Sequence, residues 1–265
     1  MKQIKISLKA LAGLIMAGTI FSGCEKTFDS KFGKTTDLQN ASNVQVYLAT
    51  VNASRNYVYV DSKPVNGSSM TSGTAFPSTG VGFSVPGGPV TFTVRDTSST
   101  ATQVPINFAE NLQASKYYTL FVYDTITSPQ QKLVTTNIVI PNDTTARVRF
   151  ANFVYNPTAM SAVDIYSTRL KANIYSNLQI TDVTDFLTVP SNTVDTFIVR
   201  LTGTGINLQN YIPPVAPATV GSFIDVRSIL TPTAKRSYTV VFRGGFRATS
   251  TSNSTVRTLS AFVNY

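Results

Sequence analysis

Apolar and polar residues alternate in short runs along most of the chain: Val44-Gln45-Val46-Tyr47-Leu48, Tyr57-Val58-Tyr59-Val60, Val81-Gly82-Phe83-Ser84-Val85 and Val90-Thr91-Phe92-Thr93-Val94. A period of two marks strands with one buried face. Pro86-Gly87-Gly88-Pro89 predicts a tight turn, because proline pre-sets φ and glycine accepts positive φ. Residues 117–123 and 133–140 supply two further strands, and Pro141-Asn142-Asp143 then interrupts the pattern.

The order then repeats. Val148-Arg149-Phe150-Ala151 answers Val46-Tyr47-Leu48-Ala49, Val163-Asp164-Ile165-Tyr166 answers Val58-Tyr59-Val60-Asp61, and Phe197-Ile198-Val199-Arg200 answers Phe92-Thr93-Val94-Arg95. Tyr238-Thr239-Val240 likewise answers Tyr118-Thr119-Leu120, with the proline-rich residues 212–222 as an insertion. The expected fold is all-β, with two tandem immunoglobulin-like antiparallel β-sandwich domains, the first over residues 43–142 and the second over 143–265. The alternating C-terminal run 256–265 fits a last sandwich strand; a membrane barrel would need longer strands with apolar girdles.

Ahead of the strands, Lys2, Lys5 and Lys9 precede an apolar stretch over residues 10–21 that is too short for a permanent membrane span. Phe21-Ser22-Gly23-Cys24 resembles the lipobox of bacterial lipoproteins. That resemblance implies a signal peptide over residues 1–23, cleavage before Cys24 and acylation of Cys24, the only cysteine in the chain. The membrane is then a partner through that lipid. The lipid implies an outer-membrane location, at the cell surface or on the periplasmic face. Glu25-Lys26-Thr27-Phe28-Asp29 is similar to the charged stretch after the cysteine in surface-exported lipoproteins of Bacteroidetes. Residues 24–42, polar and without sustained periodicity, read as a lipidated tether.

Both blocks also resemble the domain of unknown function 4397, a β-sandwich unit of exported bacterial proteins. Ala146-Arg147-Val148-Arg149-Phe150-Ala151-Asn152, Ala162-Val163-Asp164-Ile165-Tyr166 and Phe186-Leu187-Thr188-Val189-Pro190 carry the likeness in the second copy. In the first it rests on Val58-Tyr59-Val60-Asp61 and Val85-Pro86-Gly87-Gly88. Neither copy has the His-Ala-Ser-Pro-like stretch common after the first strand of that family, and the family implies no established activity.

Composition narrows the chemistry. Without histidine, Ser-His-Asp and Cys-His catalysis and His-ligated zinc are excluded. Glu25 and Glu110 are the only glutamates, leaving Asp182 and Asp185 as the nearest carboxylate pair for a glycosidase-like hydrolase. Those aspartates read better as caps of a turn or short helix, and they fall short of a calcium loop. No cofactor or metal is expected. Removing residues 1–23 takes away three lysines and no acid, leaving 19 basic against 13 acidic residues. These positives are dispersed, which argues against nucleic acid as a partner. The expectation is a non-catalytic binding or structural module whose partner is an envelope protein or a glycan.

Candidate contact residues are few. Arg243-Gly244-Gly245-Phe246-Arg247 reads as a hairpin turn with Arg243, Phe246 and Arg247 at its edge. For the alternative of a glycan-binding module the chain has no tryptophan, so tyrosines must supply any sugar platform. Tyr57, Tyr155 and Tyr175 lie near strand ends and are the candidates, whereas Tyr59, Tyr118, Tyr166 and Tyr238 are expected to pack inside.

Overall fold

A computed structural model describes residues 38–138, 140–158, 162–215 and 219–265. The signal segment, Cys24 and most of the expected tether lie outside the described residues. Regular structure begins before residue 42, the expected end of the tether: Leu38–Asn40 form a 3-10 turn and the first strand starts at Ala41. Ser42 is buried there, its hydroxyl donating to Gln113 O at 2.8 Å. A backbone carbonyl 71 residues away thus fixes a residue whose local sequence looked like linker.

The described chain is all-β. In the first half the strands are β1 (Ala41–Leu48), β2 (Asn56–Val60), β3 (Lys63–Pro64), β4 (Ala75–Phe76), β5 (Phe83–Pro86), β6 (Gly88–Asp96), β7 (Ile106–Leu112), β8 (Tyr117–Thr125) and β9 (Ser128–Thr135). They build one sheet in the order β4-β1-β8-β9, with β5 also on β1, and a second in the order β3-β2-β6-β7. The second half contains β10 (Ala146–Asn152), β11 (Val163–Ser167), β12 (Ala172–Leu178), β13 (Leu187–Val189), β14 (Asp195–Leu201), β15 (Gln209–Ile212), β16 (Ser222–Asp225), β17 (Arg227–Leu230), β18 (Ser237–Arg243) and β19 (Thr258–Val263). Its sheets run β13-β10-β18-β19 and β12-β11-β14-β17. An extra hairpin, β15-β16, brackets the proline-rich insertion and leaves Phe223 66% exposed.

The same pairing order therefore occurs twice, and each half opens with a parallel pair, β1 on β8 and β10 on β18. Tyr118 pairs with Val44, and Tyr238 with Val148, so Val148 stands where Val44 stands. The sequence pattern by itself matches Val148 to Val46. Likewise Tyr166 lies opposite Ile198 as Tyr59 lies opposite Thr93, which matches Tyr166 to Tyr59 and not to Asp61. Both differences are two residues. Strand periodicity repeats every two residues, so such a slip preserves the in-and-out pattern and only ladder pairing removes it. The strand expected over 133–140 is also displaced, because β9 begins at Ser128 inside a polar run and ends at Thr135.

Three apolar clusters explain how the sheets stack. One lies between the two sheets of the first half and includes Val44, Val46, Val58, Phe92, Val94 and Leu120. A second lies between the two sheets of the second half, around Val148, Phe150, Ile165, Phe197, Val199 and Val240. The third joins the β1-β8 sheet to the β10-β18 sheet through Tyr47, Ala49, Phe121, Ala151, Phe153, Val241 and Phe262. Four layers result, with β1-β8 and β10-β18 inside. Strands of these inner sheets are buried on both faces, as parallel pairings usually are. The alternation at Val44-Gln45-Val46-Tyr47-Leu48 suggested one wet face, yet Gln45 is 2% and Tyr47 1% exposed.

Candidate functional site

The junction between the inner sheets holds a buried polar network. Gln45 on β1 donates its amide to Val263 O at 2.8 Å and accepts from Asn264 Nδ2 at 2.9 Å. The Tyr47 hydroxyl bonds Ser260 Oγ at 2.8 Å. Burial pushes the Tyr47 phenol above its ordinary range, with Arg243 and Ser260 opposing. Arg149 on β10 reaches across, with Nη2 donating to Thr119 Oγ1 at 2.9 Å and Thr136 Oγ1 at 3.1 Å, while Nε donates to Thr239 Oγ1 at 2.8 Å. Its guanidinium also lies 4.8 Å from the Phe186 ring centre. Burial pulls the Arg149 pKa down to about 9, Asp185 pushing back, so it stays protonated at neutral pH.

This junction accounts for Arg243. Its Nε donates to Ser260 Oγ at 3.0 Å, and its guanidinium lies over Gly73 of the first half, where a Cβ would come within 2.2 Å of it. Gly244 is buried with φ +92, and a Cβ there would sit 2.4 Å from Val256 O. The tight hairpin turn expected at Gly244-Gly245 is not formed. Instead β18 stops at Arg243, residues 244–257 form a long loop, and Gly245 bridges both Tyr155 and Val256. Glycine is needed here for close backbone approach, and sequence alone does not distinguish that need from a turn.

Of the six candidate contact residues, three come together. Phe246 N donates to Tyr155 O at 2.9 Å, Tyr155 N donates to Gly244 O at 2.8 Å, and the adjacent exposed Arg247 donates Nη2 to Thr158 Oγ1 at 2.9 Å. Phe246 packs on the second core, with the Arg257 guanidinium 5.2 Å from its ring centre. Tyr175 stands apart on β12, its ring 5.6 Å from Phe150 and its hydroxyl donating to Asp185 O at 2.7 Å. Tyr57 is on β2 in the other half, opposite Arg95.

The carboxylates hold backbone. Asp182 accepts Gln179 N at 2.8 Å in a turn, and no helix follows it. Asp164, 3% exposed, accepts Asn177 N at 2.9 Å, Thr202 Oγ1 at 2.8 Å, Asn173 Nδ2 at 2.9 Å and Gly203 N at 3.2 Å. Burial raises its pKa, but the Asn177, Thr202 and Gly203 bonds and the Arg200 charge together hold it below the ordinary value. The aspartate of the Val163-Asp164-Ile165-Tyr166 motif thus ties the irregular β11-β12 pairing to the turn after β14. Asp195 accepts Ser167 Oγ at 2.5 Å and Arg169 N at 3.1 Å, with Arg169 Nε 3.6 Å away. No group of three or more metal-ligating side chains occurs among the described residues.

Tyr59 and Tyr166 differ from expectation. Both are half-buried on the side of their sheet away from the core, each beneath an arginine: Arg95 lies 4.7 Å from the Tyr59 ring centre and Arg200 lies 3.3 Å from that of Tyr166. Their alternation with valine and isoleucine signalled strand but not which side was closed. A matched Tyr and Arg in both copies was the available signal, obscured by the two-residue slip.

No family model matches this chain, and no curated protein matches it.

Proposed function

We propose that this chain is a lipid-anchored envelope protein of two tandem immunoglobulin-like sandwiches, serving as a non-catalytic binding or structural module in the outer membrane. The observation that carries the reading is the joining of two doubly layered halves into one compact unit, Leu38–Tyr265, by a buried junction with its own apolar cluster. Such a unit presents fixed faces at the end of a tether. The tandem-sandwich reading is further supported by a repeated device: Gln113 N donates to Tyr118 Oη at 2.9 Å, and Thr233 N donates to Tyr238 Oη at 3.0 Å. A tyrosine hydroxyl bound to backbone a few residues upstream is characteristic of immunoglobulin-like sandwiches. The likeness to the domain of unknown function 4397 rests on the residues quoted above and stands as part of this proposal.

Buried ionisable groups support a non-catalytic role, since Asp164, Asp195 and Arg149 direct their hydrogen bonds to backbone, hydroxyl and amide groups of the framework. Anchoring is tested by replacing Cys24 with serine and fractionating cells. The expected result is loss of lipid labelling and release from membranes; a variant that stays membrane-bound refutes the anchor. Protease treatment of intact cells then separates surface display, in which the folded unit is lost, from periplasmic display, in which it survives.

A further inference from the structure

The two outer faces carry one surface feature twice. On the β2-β6 face Tyr57 lies opposite Arg95, Tyr59 lies opposite Thr93, and Thr93 Oγ1 donates to Asn107 Oδ1 at 2.7 Å. Arg95 is exposed, stacks on Tyr59 and donates Nη2 to its hydroxyl at 3.4 Å. On the β11-β14 face Arg200 stacks on Tyr166 and donates Nε to Asn207 Oδ1 at 2.8 Å. Arg227 is exposed one strand over, opposite Ile198. Beyond these bonds the guanidinium nitrogens of Arg95 and Arg200 have no hydrogen-bond partner among the described residues. Neither pair contributes to a core or to the junction, so internal packing does not require both copies to have it.

We propose that these two faces bind an acidic polysaccharide, each stacked guanidinium taking a carboxylate of the polymer. This rests on the reading of an envelope module and deepens it by naming the ligand class. A guanidinium laid on a ring is a planar donor fork fixed in orientation, so less side-chain freedom is lost when it pairs with a carboxylate. Charge favours an anion. Strand positions sharing the outward side with Tyr57 and Tyr59 include Thr91, Thr93, Asn107 and Asn111, and none of them is acidic; the exposed Asp61 just after β2 already accepts Thr91 N at 2.9 Å. On the other face Asp164 already accepts four hydrogen bonds, and Asp225 accepts from Asn207 and Gln209. Hydroxyl and amide groups beside the arginine suit sugar hydroxyls. The tyrosine rings are covered by guanidinium, which removes the stacking platforms that unpaired bases use.

Because the core sheets lie inside the four-layer stack, the two faces point away from each other. One polymer strand does not lie on both, so the protein bridges two strands and gains avidity in a polymer layer.

The test uses the full chain in detergent micelles with polygalacturonate as the probe, and with neutral dextran and polyphosphate as comparisons, at 0.15 M ionic strength where surface attraction is screened beyond about 8 Å. Polygalacturonate is expected to bind two sites and to give turbidity through bridging. Arg95→Gln or Arg200→Gln alone should halve the stoichiometry and abolish turbidity, and the pair should weaken binding at least tenfold. Arg95→Lys in the Arg200→Gln background should behave like the double variant, because lysine keeps the charge and loses the fork. Double-variant binding equal to the parent, full rescue by lysine, or equal binding of polyphosphate or dextran would overturn the proposal. Arg200 also neighbours Asp164, so melting curves accompany each variant; if Arg200→Gln unfolds, the halved stoichiometry of Arg95→Gln remains decisive. None of these outcomes alters the membrane release expected for Cys24→Ser, so the two proposals fail separately.

Discussion

Replacing Phe121 with alanine tests whether the two halves stand or fall together. Phe121 is fully buried at the junction, its ring stacked on Phe153 with centres 4.4 Å apart and edge-on to Phe262 at 6.5 Å. Truncating a buried phenylalanine costs about 3–5 kcal/mol, and with about 2–4 °C lost per kcal/mol in a unit of this size the melting temperature should fall by about 6–20 °C. The neighbouring Leu120 side chain belongs to the core of the first half, so Leu120→Ala is the matched control. Urea unfolding followed by circular dichroism suits a chain without tryptophan. The parent should unfold in one transition. Phe121→Ala should lower the midpoint and separate the transition into two steps as coupling is lost, whereas Leu120→Ala should destabilise the first half without weakening the junction directly. A double-mutant cycle of Phe121→Ala with Phe153→Ala should return a favourable coupling of about 0.5–1.5 kcal/mol. A cost below about 1 kcal/mol for Phe121→Ala, with zero coupling to Phe153, would show that the inner sheets are not packed in solution and would refute the four-layer stack.

Asp164 has a folded pKa below its unfolded value of about 3.9, so its stabilising contribution is complete above that value and is lost as pH falls through the folded pKa; Asp164→Asn should flatten the acid limb of a stability-versus-pH curve, and an unchanged limb refutes the assignment. Arg149→Met should change stability by no more than about 1 kcal/mol, because buried cations are costly to desolvate. Thr119 and Thr136 retain their mutual 2.7 Å bond, and a loss above about 1 kcal/mol by denaturant titration would contradict that. Gly244→Ala should cost at least about 1–3 kcal/mol, since alanine would hold a left-handed φ against Val256 O, and melting like the parent would exclude the close approach.

Alternation along the chain was enough to identify strands and, in most of them, the core side, because a strand's side chains change face at every residue whatever surrounds them. It also exposed the repetition of strands and the insertion before β16. It was not enough to identify what met the opposite side. Gln45, Tyr47 and Arg149 occupy positions that look solvent-facing by alternation, and they are buried because a second sheet covers them. Tyr59 and Tyr166 have the same local pattern as packed tyrosines and remain partly open because, among the described residues, an arginine and no further sheet lies over their side. Periodicity therefore assigns each residue to a face. Which faces are joined, and in which of the registers two residues apart, depends on contacts between segments far apart in the chain, and those exist only once the sheets have stacked.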